Sequence, residues 1–257
     1  MRSILVRRTA VAATAVCLAV LATACSGSAD KGGDSGDKAK PSAAAPEAAD
    51  VKVPSAAELE KMALAEGDVK QHQVRKAGPA ESIAAGEARA DKTECLPVAR
   101  AMGAVPQGEP AGTATARRVT ETGEKNKEAV ESGDIMAAFR LTTTQVALGA
   151  YAGKGAEEAL AALRKAATDC AGGFTATLKG QPAKVTGITE AKVSGGDEAG
   201  TWNLLVDGDG GKVTYKITAV RKGAVLASFA SLNLGAAGGK DYPLPTAVID
   251  AQAAKLG

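Results

Sequence analysis

The side chains best suited to chemistry in this sequence are four cysteines, at positions 17, 25, 95 and 170, and a single histidine, His72. A thiol can be acylated, can pair in a disulfide or can bind a metal, and each use depends on its surroundings. No two cysteines have the C-x-x-C spacing of redox or zinc motifs. One histidine excludes a multi-histidine metal site and argues against a histidine-based catalytic triad.

Cys25 follows a segment with the three parts of an export signal. Arg2, Arg7 and Arg8 precede an uncharged apolar stretch over residues 9–24, which ends in small residues directly before the cysteine. The stretch is shorter than a membrane-spanning helix needs. The sequence L-A-T-A-C resembles the bacterial lipobox, whose cysteine receives acyl chains and becomes the mature N-terminus. We expect residues 1–24 to be a lipoprotein signal peptide and Cys25 to be lipidated; secretion after plain cleavage is the alternative.

Residues 25–50 form the next segment, and they contain neither aromatic nor large aliphatic residues. Such a segment cannot bury enough apolar surface to offset its ordering entropy, so we expect a disordered linker. The remaining residues, 51–257, are expected to form one domain. With the signal peptide and the lipidated Cys25, we expect this domain to lie outside the cytoplasm, at the membrane surface.

Cys95 and Cys170 are the two cysteines that remain in this domain. An even number of cysteines outside the cytoplasm favours a disulfide, and both residues fall on predicted helices. We predict a structural disulfide; two separate buried thiols are the alternative.

Composition excludes several functional classes. Without the three arginines of the leader, the chain has 28 basic and 29 acidic residues, which argues against nucleic-acid binding. Alanine accounts for 57 residues, and all seven aromatic residues lie after residue 138. A well-packed core must therefore come mainly from the second half. No cofactor is expected.

Three weaker motifs favour structural roles. Residues 149–156, GAYAGKGA, lack the glycine spacing of a phosphate loop and fit a strand-to-helix turn. Asp207 and Asp209 lie in a DGDGG segment that could supply Ca²⁺ ligands, but a hairpin turn is favoured and no metal site is expected. His72 lies in a polar stretch and is expected to be exposed. Trp202 is expected either in the core or in a ligand-binding cleft.

Helix signals occur at four places. Ser55 and Glu58 have the spacing of a capping box before an apolar stripe. Thr93 to Gly103 predicts a second short helix, Gly155 to Cys170 a long one with an apolar face, and residues 246–256 a final one. Residues 70–92 remain ambiguous.

Strand signals dominate the second half. An extended piece is predicted over 116–122, a loop over 123–133 and a strand over 135–150. Further strands are predicted over 174–179, 183–193, 201–206, 212–220 and 224–233. Their short connections can join only antiparallel neighbours. The predicted fold class is therefore α+β, an antiparallel sheet packed by helices.

This order of elements resembles the PknH-like extracellular sensor-domain family of bacterial lipoproteins. The matching pieces are ALRKAATDC over 162–170, TWNLLV over 201–206 and the closing AVIDAQAAKL helix. The resemblance implies a sheet-and-helix domain with a cleft for a small ligand, and no catalytic residues. The chain departs from the receptor-kinase version in having one cysteine pair rather than two and no kinase domain. A Mog1/PsbP-like fold would give a similar element order.

These patterns support a membrane-anchored, extracytoplasmic lipoprotein whose non-catalytic domain binds a small molecule or an envelope protein. An envelope hydrolase that uses paired carboxylates is one alternative, because such enzymes need no histidine. A structural envelope protein without a ligand is the other.

Overall fold

The computed structural model describes residues 52–122, 131, 141–208, 211–236 and 238–257. Within these ranges the chain forms an antiparallel sheet of ten strands together with four α-helices. The α+β class predicted from the sequence is therefore confirmed. The lipobox and the linker lie outside the described residues, as does nearly all of the loop predicted over 123–133.

The four helices begin close to the positions their sequence signals predict. Ser55 accepts a hydrogen bond from the Glu58 backbone, and the Glu58 carboxylate accepts one from the Ser55 backbone at 2.8 Å, so the capping box forms. Gly103 ends the second helix. The helices are α1 (Ala56–Met62), α2 (Leu96–Met102), α3 (Gly155–Asp169) and α4 (Thr246–Lys255), with single 3-10 turns at Ala85–Glu87, Thr93–Cys95 and Leu234–Ala236.

The strands are β1 (His72–Lys76), β2 (Ala88–Ala90), β3 (Gly112–Thr113), β4 (Arg117–Glu121), β5 (Thr142–Ala150), β6 (Phe174–Leu178), β7 (Gln181–Ala191), β8 (Glu198–Gly208), β9 (Gly211–Lys222) and β10 (Val225–Asn233). All strand pairs in the sheet are antiparallel, in the order β1-β4-β5-β10-β9-β8-β7-β6-β2, with β3 also paired to β5. The strands predicted from residue 174 onward are present, and β8 and β9 are longer than predicted. Those predicted over 116–122 and 135–150 are observed as β4 and β5; residues 135–140 lie outside the described ranges.

Helices cover both faces of the sheet because its central strands are apolar on both sides. In β10, Leu226 packs with residues of α2 and α3, whereas its neighbours Val225 and Ala227 pack with residues of α1 and α4. We call these the α2/α3 face and the α1/α4 face. Each face has its own core, so the fold has three layers.

A disulfide fastens the helices of the α2/α3 face to each other. Cys95 and Cys170 are bonded, with their Cα atoms 5.9 Å apart, and both side chains are buried. Cys95 directly precedes α2 and Cys170 directly follows α3. The predicted structural disulfide is therefore present and joins parts of the chain 75 residues apart.

Asp207 belongs to a hairpin between β8 and β9. It pairs with Lys212, and Gly208 pairs with Gly211, which leaves a two-residue connection at 209–210. The pairing of the two strands agrees with the hairpin that the sequence favoured over a Ca²⁺ loop; Asp209 lies outside the described residues. Among the described residues no group of three or more His, Cys, Asp or Glu side chains is placed to hold a metal ion. Nor does this part of the chain contain a helix long and apolar enough to cross a membrane.

Candidate functional site

A cleft of about 430 Å³ opens on the α2/α3 face, beside the end of α2. Four strands supply its floor, and its walls come from elements that cross or border the sheet. The volume lies within the range of sites that bind small molecules. Its lining residues are Ile83, Met102, Arg118, Thr120, Leu141, Thr143, Gln145, Leu178, Tyr215, Ala230 and Leu232.

The floor of the cleft changes from polar to apolar across the sheet. Strand register places seven of the lining residues in two adjacent rows, because side chains two positions apart share a face. One row runs from Arg118 on β4 through Gln145 on β5 to Ala230 on β10. The other runs through Thr120, Thr143, Leu232 and Tyr215, on β4, β5, β10 and β9. The β4–β5 side thus offers hydrogen bonds, and the β10–β9 side offers apolar contact.

The walls of the cleft are mainly apolar. Met102 is the last residue of α2, Leu178 is the last residue of β6, and Ile83 lies in the segment before β2. The Ile83 side chain fits against Gly103, where an added Cβ would lie 2.9 Å from the Ile83 Cδ1 atom. A side chain at position 103 would therefore require the end of the Ile83 side chain to shift.

Residues 78–84, which we call the bridge loop, carry Ile83 and are held at the polar side of the cleft by Glu81. Both carboxylate oxygens of Glu81 accept hydrogen bonds from Arg75, each at 2.5 Å, and one of them also accepts from Arg118 at 3.1 Å. Gly78 donates its backbone N–H to the other oxygen. The hydrogen bond from Arg75 is the main cause that lowers the pKa of Glu81, to about 2. Glu81 is therefore ionised at neutral pH.

Two further contacts fix the bridge loop. The Gln145 side-chain amide donates to the Glu81 carbonyl at 3.0 Å, and Lys179 donates to the carbonyls of Pro79 and Ala80. The loop is thus tied to β5 from below and to the residue after β6 from the side. This attachment gives the cleft a defined wall.

A second cavity of about 390 Å³ adjoins the cleft. The two cavities share Ile83 and Gln145, so these residues stand between them. The second cavity is lined largely by two segments of small residues, 103–106 and 113–116. The second cavity therefore adjoins the cleft on its β5 side.

Tyr215 closes the apolar end of the floor. Burial raises the pKa of its phenol, so the hydroxyl stays protonated at neutral pH. Its ring packs beside the core under α2 and α3. Tyr215 therefore supplies apolar surface and one neutral hydroxyl.

Trp202 lies in the core and does not line this cleft. It points to the α2/α3 face from β8, is 3% exposed and packs within the core cluster around α3. Its indole lies over Gly200, where an added Cβ would approach the ring to 2.6 Å. The sequence left two locations open for Trp202, the core or a ligand-binding cleft, and in the structure it lies in the core.

The other residues singled out in the sequence are apart from the cleft. Cys25 lies outside the described residues. The disulfide of Cys95 and Cys170 secures α2, whose last residue forms part of the wall. His72 begins β1, is half-buried rather than exposed, and its Nδ1 lies 2.8 Å from the Lys70 carbonyl.

Sequence reasoning missed the polar residues of the floor. Arg118, Thr120, Thr143 and Gln145 alternate along their strands with core residues, a pattern that is also typical of a solvent-facing strand side. The available signal was a pair of polar residues two positions apart on each of the two strands.

Comparison with known proteins finds similarity among solved structures only. No family model matches the chain, and no curated protein matches it. Among solved structures, the extracellular domain of PknH from Mycobacterium tuberculosis is similar at 14% sequence identity and a TM-score of 0.45. The match covers 80% of this chain and 96% of that one. A similarity of this degree does not extend any property of that domain to this chain.

Proposed function

We propose that this chain is a membrane-anchored, extracytoplasmic lipoprotein whose α+β domain binds a small molecule in the cleft of the α2/α3 face. The observation that carries the binding function is the floor of the cleft, which is polar on β4 and β5 and apolar on β10 and β9. Ligand sites combine mostly apolar surface with a few placed polar groups. The role would be sensor-like if a partner in the envelope responds to the ligand-bound state of the domain.

The location outside the cytoplasm rests on two independent features. The first is the leader that ends at Cys25. The second is the disulfide between Cys95 and Cys170, since such bonds persist in oxidising compartments and are rare in the cytosol. Acylation of Cys25 would hold the domain at the membrane through several chains, where one chain binds only marginally.

The carboxylate-based hydrolase has less support. Glycosidases of that kind need two carboxyl groups that flank the scissile bond. No Asp or Glu is among the described residues that line the cleft, and Glu81, beside it, is fully engaged by two arginines and a backbone N–H. The cleft itself argues against a purely structural protein, which needs no such cavity.

Binding is tested by what the protein carries when it is purified. The full chain and the variant Thr143→Trp, whose indole would fill the cleft, are expressed in a bacterium that exports lipoproteins and are purified without denaturant. Solvent extraction and mass spectrometry should find a small molecule enriched in the wild type and depleted in T143W. Thr189→Trp, an exposed position on β7, is the matched control. Equal recovery from the wild type and T143W would contradict the proposal.

Anchoring is tested separately through Cys25. Cells that express the wild type and Cys25→Ser are fed radiolabelled palmitate, and the chain is then isolated. Label should appear on the wild type alone, and C25S should leave the membrane fraction. A wild type without label would overturn the lipid anchor and leave the binding proposal intact.

A further inference from the structure

We propose that the ligand is an amphipathic anion, an apolar chain with a carboxylate-like headgroup, bound with the headgroup at Arg118 and the chain over β10 and β9. This inference rests on the proposed function and names the chemical class of its ligand. It follows from the charge at one end of the cleft, from the uncharged side chains that the structure describes at the other end, and from the size of the cavity.

The polar end of the cleft carries an excess of positive charge. Arg75, Arg118 and Lys179 contact the bridge loop. Two carboxylates among the described residues offset these three cations, Glu81 within the loop and Glu87, which accepts from the Ala84 backbone. Both oxygens of Glu81 are already occupied by Arg75. The group therefore keeps a net positive charge that one ligand anion would reduce.

Arg118 has donors left for such an anion. Only its Nη1 bonds to Glu81, and no other described residue accepts a hydrogen bond from the guanidinium. Its side chain is 34% exposed and lines the cleft. A guanidinium fork suits a carboxylate, and the hydroxyls of Thr120 and Thr143 in the next row can add hydrogen bonds.

The opposite end of the cleft suits a hydrocarbon chain. Leu232 and Ala230 form the floor there, and Met102 and Leu178 form the walls. None of these side chains is charged, and Tyr215 at this end supplies a single neutral hydroxyl. A dianion or a zwitterion with distant charges would thus leave one charge desolvated and unpaired, which is costly.

The cavity sets the size of the ligand. At about 30 Å³ for each non-hydrogen atom, the share of one water molecule in the liquid, 430 Å³ holds about 14 such atoms. The floor crosses three strand spacings from β4 to β9, or about 14 Å. Decanoate is a probe of this size and polarity.

The experiment is calorimetric titration of the disulfide-intact domain with three probes below their micelle concentrations. Decanoate, decanol and decyltrimethylammonium share one chain and differ in head charge. The variants are Arg118→Gln, which removes the cation of the cleft, and Arg89→Gln, which removes an exposed cation on β2. T143W and Thr189→Trp report whether a probe occupies the cleft.

We expect decanoate to bind best, the cationic probe worst, and R118Q to weaken decanoate roughly tenfold to a hundredfold, the value of a charge-assisted hydrogen bond. R89Q should bind as the wild type. Two results would show that the ligand is not an anion while the cleft remains a binding site. One is that decanol binds with the same affinity as decanoate; the other is that R118Q binds decanoate like the wild type while T143W does not bind it. If no probe binds, or T143W binds decanoate like Thr189→Trp, the anion assignment fails; the ligand extraction above then decides the proposed function independently.

Discussion

Arg118 donates a hydrogen bond to Glu81 across 3.1 Å and thereby joins the floor of the cleft to the bridge loop above it. Gln145, the neighbour of Arg118 in the same row, reaches the carbonyl of Glu81 as well. With Arg75 on β1, three strands thus hold this one residue of the loop. Because that loop also carries Ile83, the polar contacts at Glu81 determine where the apolar wall lies.

Glu81 should make the stability of the domain depend on acid pH. Its pKa of about 2 lies below the usual value of about 4.3, so the ionised form stabilises the folded state. This contribution is complete above about pH 5 and is lost as the pH falls toward 2. Glu81→Gln should lower the urea midpoint at pH 7, and its difference from the wild type should shrink at pH 3.

Glu190→Gln is the control for this measurement, because Glu190 is exposed on β7 and no described residue bonds its side chain. It should leave the midpoint unchanged at both pH values. A deficit of E81Q that is as large at pH 3 as at pH 7 would show that the loss comes from packing rather than from the charge of Glu81.

Reduction of the disulfide should destabilise the domain considerably. Closing a loop of 75 residues restricts the unfolded chain, and the chain-entropy estimate is about 4 kcal/mol. The double variant Cys95→Ala/Cys170→Ala should lower the free energy of unfolding by a similar amount in urea titrations. Addition of reductant should lower the stability of the wild type and leave the variant unaffected. An oxidised wild type no more stable than the variant would contradict a structural disulfide.

Gln252 on α4 should be as important to the α1/α4 face as the disulfide is to the opposite one. Its fully buried side chain accepts from the Leu64 backbone at 3.2 Å and donates to the Met62 carbonyl at 2.8 Å, which satisfies the end of α1. Gln252→Ala should cost about 2 to 4 kcal/mol, because both backbone groups lose their partner.

Gln252→Met separates hydrogen bonding from packing in this test, since methionine has nearly the same size and no amide. It should be destabilised almost as much as Q252A in urea unfolding. A methionine variant as stable as the wild type would show that the amide contributes only volume.

Trp202 should matter for stability and little for ligand binding. Trp202→Ala removes a buried ring from the core and should cost about 3 to 5 kcal/mol. Trp202→Phe should cost less and retain the affinity for decanoate within about twofold. A large loss of affinity in a folded W202F protein would restore the role in binding that the sequence left open.

The sequence predicted elements whose signals are local. The capping box at Ser55 and the apolar face of α3 lie within single segments, and the disulfide followed from counting cysteines in an exported domain. β1 and β2 were not predicted, because β1 buries only Val74 and β2 has three residues. Such short edge strands depend on partners far along the chain.

The cleft was harder to foresee because its floor depends on strand order. Arg118 and Leu232 are 114 positions apart, and they share a surface only because β5 pairs with β4 on one side and with β10 on the other. Sequence periodicity shows which residues of a strand share a side, but not which strands are neighbours. The family resemblance led us to expect a cleft, and Trp202 was the residue suggested for it.

The most direct test of the account is to locate a bound probe by methyl NMR of the disulfide-intact domain. Ile83, Met102 and Leu232 report on the cleft, whereas Leu64 and Val248 report on the core of the α1/α4 face. With added decanoate, the cleft methyls should shift in a saturable manner, and the other two should stay in place. Saturable shifts confined to Leu64 and Val248, or no shift in any cleft methyl, would contradict a ligand site on the α2/α3 face.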